Sequence, residues 1–443
     1  MTVAISAEAA GRMFEPAVET MARAELRQLQ DVRLKAMVRY AGQRVPHYRA
    51  AFAAAGVDPE SFGGLADLRR LPFTTKSDLR DNFPYGMFAV PKGELRRLHA
   101  SSGTTGSPTV VGYTATDIAT WSDLMARSMT AAGLEPGQLF HNAHGYGLFT
   151  GGLGMHYGAE RLGCVVLPIS GGSTERQVLL MRDLAADAMC ATPSYALNIA
   201  EVATRMGIDL AALPIRRGMF GGEPWSEAMR ASIEAAFGIT ACDVYGLSEI
   251  LGPGVGCECV EARSGPHLWE DHFLIEVIDP KTLEAAAPGE VGELVVTTLT
   301  KQALPMIRYR TRDMTRIIEE PCVCGRTHRR IMRVRGRDDD MLIVRGMNVY
   351  PSQIEAALIG LPGLAPHYQI VLARDGALDA LTVEVEALPD ALAEGDAARQ
   401  KERAVSHHLK SMTGITCKVA LKAPGEVPRS VGKAVRVRDL RER

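Results

Sequence analysis

Between residues 21 and 43 the run MARAELRQLQDVRLKAMVRYAGQ sets apolar residues at helical spacing with Lys and Arg between them, which predicts a helix stopped near Gly42 and Pro46. Further on, TVVGY reads as a short strand and TATDIATWSDLMARSMTAAG as a helix. Thr114 and Asp117 form a capping box, Ile118, Trp121, Met125 and Met129 share one stripe, and Gly133 supplies the stop. Residues 101–108 therefore join two strands and do not lead into a helix. From 139 to 250, short apolar runs such as CVVLPI, AMCAT and ACDVYG alternate with helical stretches, the rhythm of an α/β layer whose strand ends can form a site. Residues 273–335 turn β-rich (FLIEVIDP, GELVVTTLT, MTRIIEE). The last hundred residues follow a β-α-β-β-α-β order, from MLIVR to TCKVALK, that predicts a split-βαβ unit, with the charged GRDDDM as a hinge before it.

Composition narrows the function. The 443 residues suffice for two or three domains, and 50 basic against 52 acidic side chains lack the footprint of a nucleic-acid binder. A small-molecule substrate fits better. No apolar run approaches the roughly 18–20 residues of a membrane span, and MTVAISAEAAGRMFEP lacks the blocks of a signal peptide, so a cytoplasmic protein is expected. Eight cysteines in such a chain are too sparse for a disulfide scaffold, and those that cluster suggest metal.

Four fragments carry chemistry. SSGTTGSP (101–108) has glycines that can turn amides inward on an anion and hydroxyls that can help, yet neither the lysine nor the following helix of a Walker loop. Read by itself it is either such a nest or a surface hairpin. DVYGLSE (243–249) puts a carboxylate just past a strand end, where it could hold magnesium or merely mark a turn. RYRTRD (308–313) offers Asp313 to a ribose or is a solvated charge run, and PRSVGKAVRV places Lys433 in a Pro/Gly turn near the end of the chain. The glycines of GGLGMHYG miss the spacing of a dinucleotide fingerprint.

In order, SSGTTGSP, GGEP, YGLSE, YRTRD, GRDDD and the terminal GK resemble the acyl-adenylate-forming superfamily. More closely, HASSGTTGSPTVVGYT, GYGLFTGGLGMHYGAERLG, ATPSYALN, WEDHF, TTLTKQALPMIRYRTRD and DDMLIVRGMNVYPSQIE look like the phenylacetate-coenzyme A ligase family, nearly end to end. The resemblance implies an α/β protein with a large multi-subdomain adenylate-forming N-terminal domain (1–338), whose β-rich subdomain covers about 255–335, and a small mobile α+β C-terminal lid domain (339–443). It implies an AMP-forming ligase for ATP, Mg2+, coenzyme A and an aromatic acid, working through an acyl adenylate in aromatic catabolism, and a homodimer. Ser101, Ser102, Gly103, Thr104, Thr105 and Gly106 would hold the terminal phosphates of ATP. Gly222, Glu223, Pro224, Asp243, Tyr245, Gly246 and Ser248 would line the nucleotide, Asp313 and Arg337 its ribose, and Glu249 would ligate magnesium. Asp339 would be the hinge, Gly346 would line the coenzyme A tunnel, and Lys433 would enter the site only for adenylation.

His144, Phe149, Gly222 and Val244 are expected around the acid. Here the chain departs from the pattern expected of phenylacetate ligases, which has tyrosine at His144 and GAEP where this chain has GGEP. A roomier, more polar pocket follows, suited to phenylacetate or to hydroxyphenylacetate, indoleacetate or an amino- or hydroxybenzoate. Cys259, His267, Cys322 and Cys324 are the expected ligands of a structural zinc, with Cys257 able to replace Cys259. Two other functions share the first half-reaction or its ligands: loading an acyl group onto a carrier protein, and regulation by bound acid or nucleotide without catalysis.

Overall fold

The computed structural model describes residues 13–100, 109–334, 336, 342–344, 347–375, 378–392, 395–429 and 434–441. The N-terminal helix runs Arg23–Arg44, straight through Gly42, and ends where Val45 precedes Pro46. Strands β1 (Arg97–Ala100) and β2 (Val110–Tyr113) pair antiparallel on either side of 101–108. The capping box then starts the helix Ala115–Ala131: Asp117 N donates to Thr114 Oγ1 (3.1 Å) and Thr114 N to Asp117 Oδ2 (2.9 Å).

The centre is a nine-stranded sheet. Its parallel half contains β3 (Leu139–Asn142), β4 (Val165–Leu167), β5 (Ala188–Ala191), β6 (Arg217–Gly221) and β7 (Thr240–Leu247), in the order β4-β3-β5-β6-β7. Helices lie between these strands in sequence, and β5 is buried along its whole length, so it reads as an apolar run without alternation. The sheet continues antiparallel through β8 (Gly252–Cys257) and β9 (His267–Leu268). Next, β10 (Phe273–Ile278), β11 (Gly292–Thr298) and β12 (Tyr309–Thr315) make a separate antiparallel sheet, after which β13 (Ile317–Ile318) and β14 (Arg330–Ile331) return to complete the large one beside β9.

Close backbone approach explains GGLGMHYG. On the helix Gly151–Leu162, a Cβ at Gly158 would lie 2.3 Å from Met125 Cβ, and one at Gly154 would lie 2.5 Å from the Trp121 ring. Those glycines let this helix press onto Ala115–Ala131, a packing reason for the run that needs no nucleotide.

The C-terminal region has its own core, built on Ile354, Ile370, Val383, Val385 and Leu409 among others. The helices Pro351–Leu358 and Gly395–Thr413 fall close to their expected places. The split-βαβ expectation needs correction at one edge. Leu342–Val344 (β15) does not join the sheet; it closes as a hairpin on Met347–Val349 (β16). The sheet instead takes the last strand, β20 (Val437–Asp439), in the order β19-β18-β17-β20, where β17 is Leu364–Asp375, β18 is Leu378–Ala387 and β19 is Lys418–Lys422. Only two residues separate β15 from β16 in sequence, which makes their pairing cheap in loop entropy and leaves the edge of β17 to β20.

Candidate active site

The C-terminal ends of the parallel strands point their loops to one side, as open α/β sheets do. His144 follows β3, Ser194 follows β5, Gly222 and Glu223 follow β6, and Tyr245 to Glu249 close β7. From the other sheet, β12 brings Asp313 to the same place. Tyr245 donates its hydroxyl to Asp313 Oδ2 at 2.6 Å, so residues of two separate sheets meet in one bond. Behind them Trp225 Nε1 donates to Asp243 Oδ1 (3.1 Å), with Arg333 Nε at 3.5 Å from Oδ2. Burial, seconded by the neighbouring Glu258 carboxylate, pushes Asp243 up to about 7.

Glu223 accepts from the backbone and hydroxyl of Ser194 and, through Oε2, from Ala434 N of the C-terminal region at 2.7 Å. Gly246 must be glycine, since a Cβ there would stand 1.9 Å from the carbonyl of Gly252. Ser248 shares a hydroxyl contact of 3.1 Å with Thr150. Beside it Glu249 is buried, and two lysines that the motifs do not reveal converge on it. Lys76 Nζ lies 3.5 Å from its carboxylate, and Lys301 Nζ donates to its carbonyl at 3.1 Å. Burial pulls Lys301 down to about 8, against the pull of Asp117 and Glu249.

His144 is buried, and burial alone lowers its imidazole to about 4, so it is neutral at physiological pH. The Phe149 ring and His144 Nδ1 both border the helix start, at 3.2 and 3.5 Å from where a Cβ of Gly151 would stand. Val244 is buried on β7. Gly222 adopts φ 85°, and among the described residues only Thr192 Cγ2 (3.7 Å) lies within 4 Å of where a Cβ would be. Space is open there, but the left-handed backbone also asks for glycine, a reason that sequence does not show. Ser101, Ser102, Gly103, Thr104, Thr105, Gly106, Arg337, Asp339, Gly346 and Lys433 lie outside the described residues.

Away from this site, Cys259, His267, Cys322 and Cys324 come together, all buried, with ligand atoms within 4.8 Å of one another. Cys259 Sγ and Cys322 Sγ are 3.6 Å apart, and Cys324 Sγ is 3.4 Å from His267 Nε2. The His267 Nδ1–H donates to the carbonyl of His328 (2.8 Å), which turns Nε2 toward the thiols as a metal-binding histidine requires. Cys257 is buried but not part of the group.

A strand-end site facing a second sheet, followed by a small C-terminal unit, is the architecture of an adenylate-forming enzyme. Residues 72–300 match the family of AMP-binding enzymes, and 346–441 match the AMP-binding enzyme C-terminal domain. The chain is 51% identical to a phenylacetate-coenzyme A ligase of Thermus thermophilus, across 97% of this chain and 100% of that protein. It belongs to the phenylacetate-coenzyme A ligase family. Among solved structures, 2-hydroxyisobutyryl-CoA ligase in its postadenylation state superposes with a TM-score of 0.90 at 31% identity, covering 96% of this chain and 91% of that one. The same ligase in its thioesterification state gives 0.72 at 32% identity, covering 97% and 93%.

Proposed function

We propose that the protein joins an aromatic carboxylic acid to coenzyme A, with ATP cleaved to AMP and diphosphate, and that phenylacetate is its first candidate substrate. As a member of its family it is an AMP-forming acid–thiol ligase. The acid's carboxylate attacks the α-phosphorus of ATP and diphosphate leaves; the coenzyme A thiolate then attacks the acyl carbon and AMP leaves. The observation that carries the reading is the Tyr245–Asp313 bond, which fixes a nucleotide-edge strand against a ribose-binding carboxylate in a chain of this family. The protein's part is to hold two anions against each other, which demands oriented donors and cations. Glu249, with hard oxygen donors, suits Mg2+, which when bound would offset phosphate charge. Lys76 and Lys301 add fixed positive charge beside it.

Residues 101–106 serve as the phosphate nest, and Glu223, Pro224 and Asp243 border the adenine. Arg337 assists at the ribose, Asp339 is the hinge between domains 1–338 and 339–443, and Gly346 lines the coenzyme A tunnel. Lys433, one residue before Ala434, supplies the cation of the first half-reaction. The high superposition on a postadenylation state supports reading this pose as the adenylating one. His144, a neutral imidazole beside Phe149, would also accept a ring with a polar substituent, so hydroxyphenylacetate, indoleacetate or an amino- or hydroxybenzoate are the next candidates after phenylacetate. The thiol–imidazole group suits zinc: three soft thiolates and one oriented imidazole make a closed set with no position for substrate, so its role is folding. We place the enzyme in the cytoplasm as a homodimer. Among the described residues no helix is long and apolar enough to cross a membrane.

The experiment is incubation with ATP, Mg2+, coenzyme A and a panel of aryl acids, with thioesters identified by mass. Diphosphate exchange without any acyl-CoA would point to a carrier-protein acceptor. No AMP with any acid would leave a non-catalytic binder.

A further inference from the structure

We infer that Glu201 is a positioning residue that docks the C-terminal unit in the adenylating pose. The inference rests on the ligase reading and adds a component to it. Glu201 stands on the helix Pro193–Arg205 of the large body, seven residues beyond Ser194, which bonds Glu223 at the site. Arg429 of the C-terminal unit grips it with two parallel bonds, Nε to Oε2 and Nη2 to Oε1, both 3.1 Å. His367 Nε2, from β17, adds a third contact to Oε2 at 3.0 Å. These contacts, His367 foremost, draw the Glu201 carboxyl down to about 2.

Each partner also has a companion that stays with it if the two units part. Arg429 bonds Glu386 within its own unit, Nη1 at 2.6 Å and Nη2 at 2.8 Å. Glu201 has Arg205 one turn along its own helix at 3.3 Å. Separation therefore strands no buried charge, unlike the rupture of an isolated buried ion pair. That is what a contact must satisfy if it is to be made and broken in every catalytic cycle. The pair also stands at a telling place in the chain. Arg429 is held by Glu201 and Ala434 N by Glu223, so both anchors grip the large body at positions that bracket Lys433 in sequence. A bidentate guanidinium–carboxylate fixes orientation as well as distance, which suits a residue whose neighbour must deliver a charge.

Two variants test the assignment, Glu201→Gln and Glu201→Arg, each assayed for acid-dependent ATP–diphosphate exchange and, separately, for thioester formation from supplied acyl adenylate and coenzyme A. The glutamine variant should lose about tenfold in exchange, equivalent to ~1.4 kcal/mol, and the arginine variant, which repels Arg429, should lose more. Neither should lose thioester formation. Equal loss in both half-reactions would show a merely structural residue and overturn the inference, as would no loss in exchange or loss confined to the thioester step. Wild-type enzyme that performs both half-reactions alongside unaffected variants sinks only the docking role. Wild-type enzyme that performs neither sinks the ligase reading and this inference with it.

Discussion

Replacing Lys301 by methionine should leave the fold at least as stable at neutral pH and cripple the enzyme. The Lys301 ammonium is 3% exposed, donates to the Glu249 carbonyl at 3.1 Å and lies 4.9 Å from the centre of the Tyr113 ring. Burial brings its pKa from 10.5 to about 8. At ~1.36 kcal/mol per tenfold in proton affinity, keeping that proton costs the folded state roughly 3 kcal/mol at neutral pH. The sign follows from the lowered value: the unfolded chain binds the proton more tightly, so stability rises with pH from about 8 up to the ordinary lysine value, and the cost is fully present below that window.

Methionine has similar length and needs no solvation, so Lys301→Met avoids the cost and its pH dependence. Urea unfolding of both proteins at pH 7 and about pH 9.5 reads this directly. The wild type should gain about 2 kcal/mol on the variant between the two conditions. Function should move the other way, because a charge-assisted bond worth ~1.5–3 kcal/mol is lost from the back of Glu249, a cut of about 10- to 100-fold in kcat/KM for ATP. Identical pH slopes, or a variant that uses ATP as well as the wild type, would refute the picture of a buried charge retained for the site at the expense of the fold.

Lys433→Ala should abolish acid-dependent ATP–diphosphate exchange while thioester formation from supplied acyl adenylate survives; equal loss of both steps would refute the alternating use of that lysine. Protein purified without chelator should carry about one zinc per chain by elemental analysis, and Cys322→Ser should lose the metal and lower Tm, with the metal-free fraction poorly folded. Gly158→Ala forces a Cβ to within 2.3 Å of Met125 Cβ and should destabilise by about 1–3 kcal/mol, read as a lower Tm. His144→Tyr should shift selectivity in kcat/KM toward phenylacetate over its hydroxylated or amino-substituted analogues by about 10-fold or more, measured by competition between paired acids.

What the sequence shows is mostly local. The capping box of Thr114 and Asp117 is legible because all its atoms lie within one turn. Its second use is hidden: Asp117 also accepts from Gln302 N and Ala303 N, 185 and 186 residues away, and so staples the segment that carries Lys301. The four thiol and imidazole groups could be named from their types and clustering, whereas the His328 carbonyl that orients His267 could not, since a backbone oxygen has no signature. Lys76 looks like an ordinary surface lysine at the start of a short helix, and only the folded chain sets it against Glu249. The misplaced edge strand has the same origin. β15 (LIV) is the more apolar of two three-residue segments and β20 (VRD) the more charged, yet β20 pairs with β17, because which one does depends on what each can reach.

These placements change how the lysine-free loop at 101–108 can be understood. Lys76 stands against the Glu249 carboxylate and Lys301 against its backbone carbonyl, so two ammonium groups balance the nearby Glu249 and Asp117 carboxylates before any metal or the C-terminal lysine is counted. Both lysines belong to the large body, so a polyphosphate bound there has two ammonium donors that do not depend on the C-terminal unit. Charge that is always present binds ground state and transition state alike, which lowers KM without raising kcat. On the proposed reading the charge of Lys433 is of the other kind: it would depend on docking through Glu201 and Glu223, and so would be applied when diphosphate departs and withdrawn for the thiol. Separating the two kinds of cation onto different bodies would let the large body hold ATP while a second event decides when it reacts.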